Sequence, residues 1–330
     1  MIIRIFLATL LFSIGLIYSA PKTAPTLEIV STQKIWDKVE HAAFTDLMRH
    51  NGVWYLTFRE SDQHAAGKNG IIRILQSEDG ENWKTAAVIK KQGIDLRDPK
   101  LSITPEGQFL LVIGGSEYSD EGQWITSRSY VALSSDGKNW SDLTQILQDK
   151  EWLWRVTWDR GTGYGIAYRS IPGKGRIATL YSTTDGIHYS PLQVFDITHN
   201  PSEGTIRFLK DSTMVILIRR GGNAWIGTSE VPYTDVYWSE SEHYLGGPNF
   251  VILPDGRMIA SGRVYHEDLS EKTAVLEMTA TGLKRLFDLP SGGDDTSYPG
   301  MVVRDGELWI SYYSSHEGSK TSIYLSKIKY

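Results

Sequence analysis

Arginine recurs at one periodic place in this chain. Arg59, Arg219 and Arg263 each stand seven residues beyond a turn marker (Gly52, Ser212 and Gly256), and Arg169 stands eight beyond Gly161. Eight residues before such markers lie Phe44, Pro99, Gly204, Pro248 and Tyr298, with Asp98 and Glu203 immediately beside two of them. Arg97 adjoins Asp98, Arg220 follows Arg219, and Arg155 opens the corresponding third segment. If each turn joins two antiparallel strands, the start of one and the end of the next share a rim, and these side chains meet there. A group of planar guanidinium forks fits a carboxylate, sulfate or phosphate through paired bonds. A carboxylate such as Glu203 at a pocket wall needs a reason to be buried. The candidate substrate-binding set is therefore Arg59, Arg97, Asp98, Arg155, Arg219, Arg220 and Arg263. The competing reading for Arg59, Arg169, Arg219 and Arg263 is an ion pair between neighbouring segments, with Asp46, Asp98 or Glu203 as its partner.

The elements that must position these residues are six copies of one unit. The turns are His50-Asn51-Gly52, Pro105-Glu106-Gly107, Arg160-Gly161-Thr162-Gly163, Lys210-Asp211-Ser212, Pro254-Asp255-Gly256 and Arg304-Asp305-Gly306. Each is followed by an apolar strand, from VWYLTF in the first to ELWISYY in the last. Gly, Asn and Asp supply the positive φ that tight hairpins demand. The markers are 44 to 55 residues apart, the length of a four-stranded propeller blade. A second hairpin signal recurs in the outer half of the units, as Ser77-Glu78-Asp79-Gly80-Glu81-Asn82-Trp83 and Ser134-Ser135-Asp136-Gly137-Lys138-Asn139-Trp140. Weaker copies end at Tyr189 and Trp238. Short polar side chains there bond turn amides and the aromatic residue tucks between strands, so these aspartates are structural. The prediction is an all-β, six-bladed β-propeller over residues 21–330. Its last unit has three evident strands, and residues 26–35 (TLEIVSTQKI) supply the fourth, closing the ring. A five-bladed ring with an extra hairpin is the structural alternative.

The repeated SxDGxxW hairpins resemble the Asp-boxes, or BNR repeats, of the sialidase (neuraminidase) superfamily, with Asp and Gly adjacent where that family has one residue between them. Three further segments carry the resemblance. The stretch from Asn200-Pro201-Ser202-Glu203 to Ile218-Arg219-Arg220 is similar to the one in which a Glu opens an inner strand and an Arg ends the next. Thr296-Ser297-Tyr298-Pro299-Gly300 is similar to the strand that presents the nucleophilic Tyr. Phe58-Arg59-Glu60-Ser61-Asp62 is similar to the loop that carries the acid/base Asp. The resemblance implies that Glu203 activates Tyr298, that Asp62 protonates the leaving oxygen, and that Arg219 or Arg220 holds a carboxylate. Sialidases also open their first inner strand with an Arg, where this chain has Ala42-Ala43-Phe44-Thr45-Asp46.

A phenol with an ordinary pKa of ~10 attacks carbon only when a neighbouring base takes its proton. A Tyr nucleophile suits an anionic sugar, which would repel a carboxylate. The expected activity is that of a retaining exo-glycosidase acting on a terminal acidic sugar, a sialic acid or a uronate. A non-catalytic glycan-binding propeller and a structural scaffold remain as alternatives. No cofactor is expected. His64, His243, His266 and His316 show no close ligand spacing, so no metal site is expected. The net charge of -5 argues against a nucleic-acid partner. Arg4, the apolar run at residues 5–17 and the small residues Ser19 and Ala20 describe a cleaved signal peptide over residues 1–20, hence a secreted or periplasmic protein with no membrane span after cleavage. The chain has no cysteine to carry a lipid. Oligomeric state is not encoded in any of these signals.

Overall fold

Apolar runs on either side of six turns build 24 strands, arranged as six four-stranded antiparallel sheets. The computed structural model describes residues 26–330, so the expected signal peptide lies outside the described residues. Strand β1 (Glu28–Trp36) comes first and belongs to the last blade. Blade one is β2 (His41–His50), β3 (Val53–Ser61), β4 (Ile71–Ser77) and β5 (Lys84–Ile89). Blade two is β6 (Asp95–Ile103), β7 (Phe109–Tyr118), β8 (Trp124–Ser134) and β9 (Thr144–Ile146). Blade three is β10 (Trp152–Asp159), β11 (Thr162–Ile171), β12 (Gly175–Thr183) and β13 (Ser190–Val194). Blade four is β14 (Gly204–Phe208), β15 (Met214–Ile218), β16 (Trp225–Ser229) and β17 (Tyr237–Glu240). Blade five is β18 (Gly246–Ile252), β19 (Met258–Tyr265), β20 (Glu271–Met278) and β21 (Leu283–Asp288). Blade six is β22 (Thr296–Arg304), β23 (Glu307–Ser314) and β24 (Ser322–Lys329), completed by β1. β1 pairs with β24 from Glu28↔Lys329 to Trp36↔Ile323, so the ring closes as the sequence predicts and the five-bladed alternative falls.

The core is annular. Six apolar clusters occupy the six blade interfaces, one each. Ile72 and Ile74 of blade one meet Leu96 and Ile113 of blade two, and Leu308 and Ile310 of blade six meet Ile259 and Val275 of blade five. Such face-to-face burial keeps a cysteine-free ring together. The outer hairpins are locked as expected. Asp79 Oδ1 accepts from the backbone N–H groups of Glu81 and Asn82, at 2.8 Å each, and Asp136 repeats the arrangement. Ser77 Oγ accepts from Gly80 N–H, and Trp83 Nε1 donates to Gly80 O.

Five of the six inner strands carry a register shift near their start, between Ala43 and Asp46, Arg97 and Lys100, Leu153 and Val156, Gly246 and Asn249, and Ser297 and Gly300. Phe44, Asp98, Gly247 and Tyr298 take positive φ there. Bulges of this kind re-aim a side chain, and here they occur at matching places in successive blades.

Candidate active site

Blade four presents two charges opposite each other. The β14–β15 ladder pairs Gly204 with Ile218 and runs on by one more residue, with Arg219 N–H donating to Glu203 O at 2.9 Å. Glu203 and Arg219 thereby face one another, and Arg219 Nη1 lies 2.9 Å from both carboxylate oxygens. The bulge in β22 brings Tyr298 from blade six to the same carboxylate, where its hydroxyl donates to Glu203 Oε1 at 2.8 Å. Arg219 Nη1 also donates to that hydroxyl at 3.2 Å. Gly247 N–H, from blade five, supplies Glu203 Oε2 at 3.0 Å. A Cβ on Gly247 would come within 2.7 Å of the Tyr298 ring, so glycine is what lets donor and phenol share this corner. The ring packs edge-on against Phe44 at 5.2 Å and Trp154 at 5.4 Å.

The electrostatics follow from these contacts. Burial disfavours ionisation of Glu203, but Arg219, the Tyr298 hydroxyl and the Gly247 amide outweigh it, and the carboxyl sits below its ordinary range. Burial and then the Glu203 charge push the Tyr298 phenol well above its ordinary value. The resting pair is a carboxylate accepting from a neutral phenol. Glu203 likewise keeps Arg219 firmly charged.

Arg263 joins this group. Its guanidinium lies 5.9 Å from the Tyr298 ring centre and bonds Asp295 at 3.0 Å and Tyr313 at 3.1 Å. Arg97 lies over the Phe44 ring at 4.9 Å with its Nε buried and without a partner. Among the described residues no carboxylate comes within ion-pair distance of it. Arg97 therefore stands where the first inner strand offers only Phe44.

Four of the residues expected to serve the site are placed otherwise. Arg59 is fully buried, with Nε donating to Asp95 Oδ1 at 2.8 Å and Nη1 to Gln63 O, so it braces the loop after β3 instead of facing a ligand. Arg155 is buried against Asp46 at 2.9 Å, further along the inner strands. Arg220 turns to its own blade, bonding Asn223 O and Glu240 over the Trp225 ring. Asp62 is exposed and holds its own loop, its Oδ1 accepting from Lys68 N–H at 2.8 Å and from Ser61. Those donors lower its pKa, Lys68 foremost, so it keeps no proton to give. An ion pair between blades thus holds Arg59, with Asp95 as its partner, and Arg155, with Asp46, whereas Arg220 pairs within blade four.

Asp98 is the acid whose surroundings differ. It occupies the blade-two bulge, buried, with Oδ1 lacking a partner. Burial raises its pKa, aided by Glu203 and opposed by Arg97, Lys100 and His64. A carboxyl whose folded pKa lies above its unfolded value contributes stability below the unfolded pKa, and that contribution is lost as pH rises through the folded value. Asp98→Asn, which resembles the protonated form, should therefore raise the thermal midpoint at pH 8 and leave it nearly unchanged at pH 3, in melts followed by circular dichroism. Equal shifts at both pH values would count against a buried, proton-retaining Asp98.

Tyr168 and Tyr244 escaped the sequence reading. Burial foremost, then the charges of Glu203 and Asp98, raise the Tyr168 phenol, and Tyr244 lies 5.5 Å from the Arg219 guanidinium. Tyr168 stands seven residues beyond Gly161, where the count was moved on by one residue to Arg169, and Tyr244 stands at no counted position. The structure also brings His64 to His41 and Asp295, against the expectation drawn from histidine spacing.

The ring of six four-stranded blades is a six-bladed β-propeller of the sialidase-like fold. The sequence matches no protein-family model and no curated protein. Among solved structures it is similar to a protein of unknown function from Dyadobacter fermentans, with 17% identity and a TM-score of 0.81 over 93% of this chain and 100% of the other. The alpha-L-arabinanase of Penicillium chrysogenum, solved with arabinobiose, gives 14% identity and a TM-score of 0.71 over 92% of this chain and 99% of the arabinanase. The sialidase of Trypanosoma rangeli gives 12% identity and a TM-score of 0.68 over 92% of this chain. This chain spans 60% of that sialidase's length. The fold is thus one that glycoside hydrolases use. No helix among the described residues is long and apolar enough to cross a membrane.

Proposed function

We propose that this protein is a retaining exo-glycosidase acting on a terminal acidic sugar, with Tyr298 as nucleophile and Glu203 as its base. The observation that carries the reading is the 2.8 Å bond from the Tyr298 hydroxyl to Glu203, a carboxylate held by Arg219. Tyr298 Oη attacks the anomeric carbon while its proton passes to Glu203 Oε1. The glycosidic C–O bond breaks and the leaving oxygen takes a proton from an acid. Asp98 fits that role better than Asp62, because burial raises its pKa while the donors in its own loop lower that of Asp62. Water then attacks the tyrosyl glycoside, a proton returns to the acid, and the phenolate recovers its own from Glu203. The sugar's carboxylate is bound by Arg97, whose Nε has no partner, together with Arg219 and Arg263. Secretion through a cleaved signal peptide accords with an extracellular glycan as substrate and is part of the same proposal.

The test is trapping. Incubation with 2,3-difluorosialic acid and with a 2-deoxy-2-fluoro-uronosyl fluoride, followed by peptide mass mapping, is expected to place one adduct on Tyr298. An adduct elsewhere, or none alongside turnover of the matching aryl glycosides, would sink the mechanism. Asp98→Asn should lose far more kcat on glycosides with alkyl leaving groups than on nitrophenyl glycosides, since only the former need protonation. Binding of acidic glycans with no turnover would favour the glycan-binding alternative.

A further inference from the structure

We propose that His41, His64 and Asp295 form a binding site for a divalent transition-metal ion, Zn²⁺ above all, at the seam between the first and last blades. The three come from separate elements, with His41 opening β2, His64 in the loop between β3 and β4, and Asp295 immediately before β22. His41 Nε2 lies 2.9 Å and His64 Nδ1 2.7 Å from the same oxygen, Asp295 Oδ2. The three ligand atoms all fall within 4.8 Å of one another. The other oxygen, Oδ1, is fixed by Arg263 and the Tyr313 hydroxyl, at 3.0 and 3.1 Å, so the carboxylate cannot swing away from the imidazoles. Outer contacts of this kind are what orient a metal-ligating carboxylate.

Two nitrogens and one oxygen suit zinc and its neighbours, whereas calcium and magnesium want oxygen throughout. The surrounding cavity, about 490 Å³, favours a cation. It is lined by the acids Glu40, Asp62, Asp294 and Asp295 and by a single cationic side chain, Arg263, which is itself paired with Asp295 and Glu271. His64 is half exposed on the cavity wall, so the site opens to solvent and has room for a water as fourth ligand. Because the ligands span blades one and six, the ion would clamp the ring where its ends meet.

The inference does not depend on the glycosidase reading, and its test uses no substrate. Purified protein without a histidine tag is titrated calorimetrically with ZnCl₂, with CaCl₂ as a comparison, and melted with and without each salt. The expected result is one zinc site, a thermal midpoint raised by saturating zinc, and no response to calcium. His64→Ala, a change at the exposed ligand, should weaken zinc binding at least about tenfold and remove the rise in midpoint. His243→Ala should leave both intact. No zinc binding by the unaltered protein, or equal binding after His64→Ala, would overturn the proposal.

Discussion

Tyr298→Phe is expected to lower kcat by at least about two to three orders of magnitude on whichever acidic glycoside the protein turns over, and to leave the fold intact. The ring is retained, so contacts with Phe44, Trp154 and Tyr313 persist. Glu203 keeps Arg219 and the Gly247 amide. What disappears is one hydroxyl and its bond to a carboxylate, a structural loss of about 1.5–3 kcal/mol beside the loss of the nucleophile itself. Steady-state kinetics and a thermal melt on the same preparation separate the two effects. Near-normal turnover would remove Tyr298 from the chemistry.

Glu203→Gln should match that loss of kcat by a different route. The amide cannot take the phenolic proton, and a phenol already pushed well above its ordinary pKa by burial cannot ionise unaided. The two residues act as one unit, so the double variant is expected to be no slower than either single one. Losses that multiply would mean independent roles. This change too costs stability, because Arg219 loses its counter-charge. Arg219 is a quarter exposed, and water screens part of the penalty. A cost of about 1–3 kcal/mol is expected, visible as a midpoint several degrees lower.

The ring was legible because its punctuation is local. Every predicted turn joins the first and second strands of a blade, from His50-Asn51-Gly52 between β2 and β3 to Arg304-Asp305-Gly306 between β22 and β23. Counting outward from those turns found Tyr298, Glu203, Arg219 and Arg263, because distance along a strand fixes height on the propeller axis. The same count could not tell Arg219 from Arg59. Height does not fix the direction a side chain faces, and the bulges at Phe44, Asp98 and Tyr298 break the alternation that would have supplied it. Asp62 was assigned from its loop, where the contacts that matter are with Lys68 and Ser61 a few residues away. His41 and Asp295 are 254 residues apart, so no ligand spacing could announce them.

The pairing of β1 with β24 has a consequence for how the chain is made. Glu28 is made long before its ladder partner Lys329. Until then the first strand has no mate, and blade six cannot exist as a complete sheet. Contacts between such distant residues are slow to form, so joining the two ends is the natural final event of folding. Tyr298 enters with that last blade, so the carboxylate of Glu203 waits for its phenol until blade six has been made.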